Sequence, residues 1–182
     1  IHYYDGALLE TPRISECISL GIPVLSEGTF DQREYPELEG AVRFFEENSV
    51  ESMMSAAADM LDKIEAMNET IEGAVSASAH RFNFMMDRFL VAIGAISTKS
   101  LLEAPIYVSR DSSFFALSLP ETIDRRKKIS SALPVGCELF DGIRHSIGWI
   151  GCGSSFNAMG RYALAKGVNR LVVIEDDVDL PN

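Results

Sequence analysis

Short apolar runs alternating with helix-forming segments restrict the fold of this chain more than any other feature. Five runs have the length and the apolar content of buried strands, at residues 22–26, 42–45, 114–119, 138–142 and 171–174. The segments between them that are typical of helices include residues 12–20, 50–64, 82–96, 121–133 and 151–166. Strands that alternate with helices are typical of parallel sheets covered by helices. The sequence therefore predicts an α/β fold with a parallel sheet in each half.

The charge of the chain is unevenly distributed and suggests two units. The net charge is −11, and nearly all of it falls before residue 100. Pro105 and the polar run at residues 109–112 then predict a linker over residues 98–112, between units at residues 1–97 and 113–182. Nucleic acid is not an expected partner, because binding it requires Lys and Arg to replace the counterions of the phosphate backbone.

The cysteines and the hydropathy pattern bear on the compartment. Cys17, Cys137 and Cys152 form no CxxC pair, which is typical of reduced thiols. No apolar run reaches the roughly 18 residues of a membrane span, and the first residues lack the pattern of a signal peptide. We therefore expect a cytoplasmic protein without a membrane span, for which peripheral membrane association stays open.

An acidic cluster follows the last apolar run and is the strongest candidate site. Glu175, Asp176 and Asp177 come directly after residues 171–174, and Asp179 adds a further carboxylate. Ligands of open α/β sheets bind beyond the carboxyl ends of the strands, and hard divalent cations take oxygen ligands there. The sequence thus predicts a cation site, with a solvated acidic turn as the alternative.

Four motifs in the second unit resemble glycosyltransferase family 25, the lipopolysaccharide and collagen glycosyltransferases. They occur in the family's order over about 70 residues: the strand and turn at residues 115–126, Asp141-Gly142, Ile150-Gly151-Cys152 and residues 175–178. Two positions depart from the family's pattern. Ser118 stands where the family has Asn, and Phe156 stands where the family has His.

This resemblance implies a GT-A fold, a UDP-hexose or similar nucleotide-sugar donor, and Mn²⁺ or Mg²⁺. Asp177 would be the direct metal ligand, with Glu175 and Asp179 as further candidates, and Glu175 could instead orient the loop. Asp176 would contact the hydroxyls of the donor ribose or sugar. The remaining candidate donor contacts are the backbone near the base at Leu117 and Ser118, and Asp141, for which a plain turn is the alternative.

The role of the basic pair after the second-unit strand is left open by the resemblance. Either Arg125 or Arg126 would face the donor diphosphate, or both would be solvated residues of a basic amphipathic helix.

The first unit resembles the donor-binding half of GT-B glycosyltransferases. A loop and helix with Glu10, Arg13 and Glu16 precede a strand of the Gly-x-Pro-Val type at residues 21–26. A helix N-terminus attracts phosphate, and a carboxylate accepts hydrogen bonds from ribose hydroxyls. The resemblance assigns the ribose contact to Glu16, with Glu10 and Arg13 as weaker candidates. An acidic amphipathic helix packed on a sheet is the alternative.

The two resemblances together describe two partial Rossmann-like units of a longer glycosyltransferase. The chain lacks an initiator Met, so we expect the GT-B acceptor domain before Ile1, and the acceptor site and catalytic base after Asn182. No catalytic residue is named, since no histidine lies in a recognisable nucleophile motif.

The function expected from these resemblances is transfer of a hexose from a nucleotide sugar to a glycan acceptor, in lipopolysaccharide or another surface glycan. Two alternatives are a sugar-nucleotide-binding module without catalysis, suggested by Phe156, and a receiver-like phosphoacceptor domain, suggested by the paired acidic residues Asp176 and Asp177.

Overall fold

A computed structural model describes residues 7–178 of the chain. The strands are β1 (Val24–Glu27), β2 (Val42–Phe45), β3 (Phe114–Ser118), β4 (Glu138–Asp141) and β5 (Val172–Glu175). The helices are α1 (Thr11–Ser19), α2 (Val50–Asp62), α3 (Ile64–Ala92), α4 (Thr98–Glu103), α5 (Ile123–Ser131) and α6 (Gly148–Lys166). Two short 3₁₀ helices, Gln32–Glu34 and Pro36–Leu38, lie between β1 and β2.

The first compact unit, which ends at His80, contains a two-stranded parallel sheet. β1 and β2 pair in parallel from Val24 opposite Val42 to Glu27 opposite Phe45. Their apolar side chains pack with Ile14 and Ile18 of α1, which are buried on one face of that helix. A helix therefore covers a parallel sheet, as the alternating pattern predicts.

The second compact unit, which begins at Arg81, contains a three-stranded parallel sheet in the order β4-β3-β5. On one face Phe115 and Phe140 pack against Ala158 and Met159 of α6. On the other face Ala116 packs with Ile129 of α5. The two connecting helices thus lie on opposite faces of the sheet, as two right-handed crossovers that run in opposite directions across the sheet require. The predicted α/β class with a parallel sheet in each half is confirmed.

The division between the units differs from the one expected from sequence. It falls between His80 and Arg81, inside α3, and not at residues 98–112. Within the segment expected to be a linker, residues 98–103 form α4, and Leu101 and Tyr107 are buried in the core of the second unit with Phe84. The segment is therefore part of the second unit, because its apolar side chains complete that core.

Across residues 7–178, no helix is both long enough and apolar enough to cross a bilayer.

Candidate functional site

The carboxyl edge of the second sheet borders a cavity of about 360 Å³. The end of β3, the end of β5 and the loops after β3 and β4 contribute to its wall, together with the first turns of α6. Because β4 and β5 lie on opposite sides of β3, this is the edge at which a ligand crevice is expected in a parallel sheet. Its polar lining residues are Ser118, Thr122, Arg125, Arg144, His145, Cys152, Ser155, Glu175 and Asp176.

Asp176 is held by hydrogen bonds from three neighbouring side chains, and the longest of them is the 3.5 Å bond that the Thr122 hydroxyl donates to Oδ2. The Ser118 hydroxyl donates to its Oδ2 at 2.8 Å, and Arg125 Nη1 lies 3.3 Å from its Oδ1. Only 11% of the Asp176 side chain is exposed. This predicted donor contact therefore lines the cavity with both carboxylate oxygens already engaged by the protein.

The predicted contacts of β3 and Asp141 have different surroundings. Leu117 and Ser118 both line the cavity. Asp141 does not line it, because its carboxylate is buried and accepts a hydrogen bond of 2.6 Å from Arg126 Nη2. Of the two candidate phosphate-facing arginines, Arg125 thus lines the cavity, whereas Arg126 is buried with Asp141.

The charge state of Asp141 follows from the arginines around it. Burial alone would raise the pKa of this carboxyl, but the positive charges of Arg126, Arg81 and Arg88 and the hydrogen bond from Arg126 outweigh burial. The pKa of Asp141 is therefore below its ordinary value, and the carboxylate stays charged at neutral pH.

The predicted metal ligands lie at the end of β5. Glu175 is exposed and lines the cavity, and Asp177 is exposed just after it. Asp179 lies outside the described residues. Within residues 7–178, no three His, Cys, Asp or Glu side chains come together in an arrangement that would hold a metal ion by themselves.

The side of the cavity formed by α6 contains basic residues that sequence reasoning missed. Arg144 and His145 line the cavity beside Gly148, the first residue of α6. The side chain of the N-cap residue Ile147 makes no cap, its N–H donates to His145 Nδ1 at 3.0 Å, and the first turn of α6 has no acidic residue. A helix N-terminus of this kind attracts anions through its free N–H groups and its dipole. The sequence signal was present, as a basic pair that two residues separate from a glycine-rich helix start.

The connection between β4 and α6 is tightly packed. A Cβ atom on Gly151 would lie 2.6 Å from the Ile143 carbonyl oxygen, so this position accommodates only glycine without a shift. Ser155 accepts a hydrogen bond of 2.8 Å from the Ile143 N–H and donates one of 2.8 Å to the Gly151 carbonyl oxygen. The loop that carries Arg144 is therefore anchored on α6.

The three residues predicted to bind a donor in the first unit lie at or near the start of α1. Glu10 and Arg13 form an ion pair of 3.1 Å with largely exposed side chains, and Glu16 is exposed one turn later. None of the three lines the cavity of about 350 Å³ at the carboxyl ends of β1 and β2.

That cavity contains a group that sequence reasoning did not identify. Glu27, at the end of β1, lines it and is almost fully buried. Its Oε1 accepts a hydrogen bond of 2.6 Å from the Asn48 N–H.

Comparison of the chain with protein-family models, with curated proteins and with solved structures finds no match. The resemblances to glycosyltransferase family 25 and to the GT-B donor domain stay predictions from sequence.

Proposed function

We propose that the cavity at the carboxyl edge of the second sheet binds a nucleotide-sugar donor, and that the chain is part of a glycosyltransferase. The observation that carries the proposal is the composition of this one cavity. It has a basic side formed by Arg144 and the uncapped start of α6, and an acidic side that includes Glu175. A ligand with a diphosphate and hydroxyl groups matches both sides.

In this proposal the diphosphate lies against the N-terminus of α6. Backbone N–H groups and the helix dipole favour negative charge there, and exposed Arg144 supplies a guanidinium that can bind phosphate oxygens in pairs. Arg125 is the second cation at the cavity, but Asp176 partly neutralises it. The base and ribose would then lie toward Leu117 and Ser118.

A divalent cation fits the acidic side if the donor itself supplies some of the ligands. Glu175 and Asp177 are exposed carboxylates two residues apart at the end of β5. Mg²⁺ is commonly held by one or two carboxylates together with substrate phosphates and water, so a cluster of three protein ligands is not required. When bound, the cation offsets the negative charge that develops on the departing diphosphate.

For the whole protein we propose hexose transfer to a glycan acceptor, such as a growing lipopolysaccharide. The Rossmann-like units of GT-A and GT-B type are part of the same proposal. In the first unit, Glu16 remains the proposed ribose contact, and its exposure on α1 leaves it accessible to a ligand.

A binding module without catalysis is the second candidate function. Phe156 stands where glycosyltransferase family 25, which the second unit resembles, has a histidine. The Phe156 side chain is exposed on α6. This candidate and the first differ in turnover and not in binding.

The test is calorimetric titration of UDP into the 182-residue chain with and without Mn²⁺. We expect binding that requires Mn²⁺ and that weakens by at least about tenfold in Asp177→Ala, since a charged ligand contact contributes about 1.5–3 kcal/mol. Asp124→Ala is the matched control, because Asp124 is also an exposed carboxylate but belongs to the first turn of α5 and not to the acidic cluster after β5. If neither UDP nor GDP binds with Mn²⁺, the proposal is wrong.

Turnover distinguishes the two candidates once binding is established. Release of UDP from UDP-glucose or UDP-galactose, to water or to a glycan, supports the enzyme. Tight UDP binding without release from either sugar nucleotide, in a chain extended to include its natural flanking sequence, supports the binding module.

A further inference from the structure

Arg88 is a buried arginine of α3 that does not line the cavity but contacts both loops that form it. Only 2% of the residue is exposed. Its Nε donates to the Gly142 carbonyl oxygen at 2.8 Å, and its Nη2 donates to the same oxygen. Nη2 also lies 3.2 and 3.3 Å from the two carboxylate oxygens of Glu121.

Gly142 begins the loop between β4 and α6, which carries the basic side of the cavity. Its N–H donates to the Ser118 carbonyl oxygen at 2.9 Å, and its own carbonyl oxygen accepts from Arg88. The peptide groups on both sides of Gly142 are therefore held. Arg144, two residues later, is exposed and lines the cavity.

Glu121 belongs to the loop between β3 and α5, which forms the other wall. This loop is a tight turn in which the Thr122 N–H donates to the Leu119 carbonyl oxygen at 2.9 Å. Leu119, Thr122 and Arg125 of this segment all line the cavity. One guanidinium thus joins the turn of Glu121 to the loop of Gly142.

We propose that Arg88 is a positioning residue, which holds the two loops at the separation that forms the cavity and thereby orients Arg144 toward the ligand. The guanidinium suits this role because it donates from several N–H groups in one plane. A buried charge also resists displacement, since it is costly unless its partners stay in place. The ligand part of this inference rests on the proposed function, whereas the loop part does not.

The first measurement is amide hydrogen exchange in wild type, Arg88→Met and Arg88→Lys. We expect residues 119–122 and 142–147 to exchange at least about tenfold faster in Arg88→Met, because opening loses hydrogen bonds to a charged group. The strands β3 to β5 should be protected as in wild type. Arg88→Lys should restore part of the protection, because an ammonium can still donate to Gly142. Unchanged exchange in both loops would overturn the inference.

A second variant keeps the test valid if Arg88→Met does not fold. Glu121→Gln retains an acceptor but removes the charge that faces Arg88, and the Glu121 side chain is 38% exposed, so the fold should tolerate it. Faster exchange confined to the same two loops supports the inference. Faster exchange throughout the second unit, in both variants, would mean that Arg88 only stabilises the fold and would overturn it.

The second measurement is a double-mutant cycle on UDP affinity with Mn²⁺. If Arg88 acts through Arg144, Arg88→Lys should weaken binding in the wild-type background but have almost no effect in Arg144→Ala. Fully additive losses would contradict positioning. If wild type binds no UDP, the proposed function fails while the exchange measurement still decides the role of Arg88.

Discussion

The Ser118 hydroxyl donates a hydrogen bond of 2.8 Å to Asp176, and this contact joins the carboxyl ends of β3 and β5. The two residues follow the register pair Leu117 and Glu175, so the pairing of the strands brings them together. One of the three acidic residues of the cluster therefore serves the architecture of the site. Its neighbours Glu175 and Asp177 are the exposed ones.

Ser118→Ala should destabilise the second unit by about 1.5–3 kcal/mol, because the lost hydrogen bond is part-buried and its acceptor is charged. Urea unfolding followed by circular dichroism measures this change. Ser131→Ala is the control, since that hydroxyl bonds the Lys128 carbonyl oxygen at the exposed end of α5. Equal effects of the two substitutions would show that the Ser118–Asp176 bond contributes little.

The glycines of α6 should respond in opposite directions to alanine. At Gly151 the new methyl group would meet the Ile143 carbonyl oxygen at 2.6 Å, which we expect to cost about 1–3 kcal/mol through a forced shift. The methyl groups of Gly153→Ala and Gly160→Ala would meet nothing within 4 Å. These two substitutions should stabilise the protein by about 0.4–1 kcal/mol, because alanine lowers the conformational entropy of the unfolded chain. Thermal unfolding of the three variants gives the comparison, and stabilisation by Gly151→Ala would contradict the close packing.

Asp141→Asn should destabilise the second unit by about 3–5 kcal/mol, because it removes the negative charge that faces the buried guanidinium of Arg126. The residue pair is almost fully buried, with a separation of 2.6 Å. Asp124→Asn, on the exposed face of α5, is the control and should cost less than about 1 kcal/mol. Urea unfolding at pH 7 measures both variants.

The same ion pair predicts a pH dependence of stability. The pKa of Asp141 is lower in the folded protein than its ordinary value of 3.8. The contribution of Asp141 to the free energy of unfolding is therefore complete above about pH 5. It is lost as pH falls below 3.8 and through the folded-state pKa. The free energy of unfolding of wild type, measured from pH 5 to pH 2, should fall more steeply than that of Asp141→Asn. Parallel curves would exclude this linkage.

The cysteines should differ widely in reactivity. Burial and then the nearby Glu138 charge raise the pKa of Cys137 to about 11, whereas Cys152 is exposed on α6. Because the thiolate is the reactive form, iodoacetamide at pH 8 should label Cys152 first and Cys137 only after unfolding. Peptide mass spectrometry measures both rates, and early labelling of Cys137 would contradict its burial.

The alternating pattern of apolar runs was sufficient to predict the parallel strands, because these strands are short, apolar and separated by helices. It did not predict the boundary. The charge step near residue 100 and the expected linker placed residues 82–96 in the first unit, yet Phe84 and Val91 pack in the second. Helical spacing shows that a helix has an apolar face but does not show which sheet that face contacts.

The acidic side of the site was accessible from sequence because its residues are adjacent in the chain and directly follow a strand. The contacts of Arg88 could not be predicted from sequence, since they join residues 33 and 54 positions apart. The role of Asp141 was missed for a similar reason. An Asp-Gly pair predicts a turn. Asp141 instead forms a buried ion pair, because Arg126 lies one helical turn into α5 and reaches its carboxylate.

The continuity of α3 across residues 80 and 81 affects how this protein can be dissected. A chain cut there would divide a helix. A second unit that began later in the same helix, at Phe89, would lose Phe84 and Arg88. Proteases prefer exposed loop tips over helices, so limited digestion is not expected to release the units at their boundary. Each unit would need to be produced with the whole of α3, and the two shortened chains would share that helix.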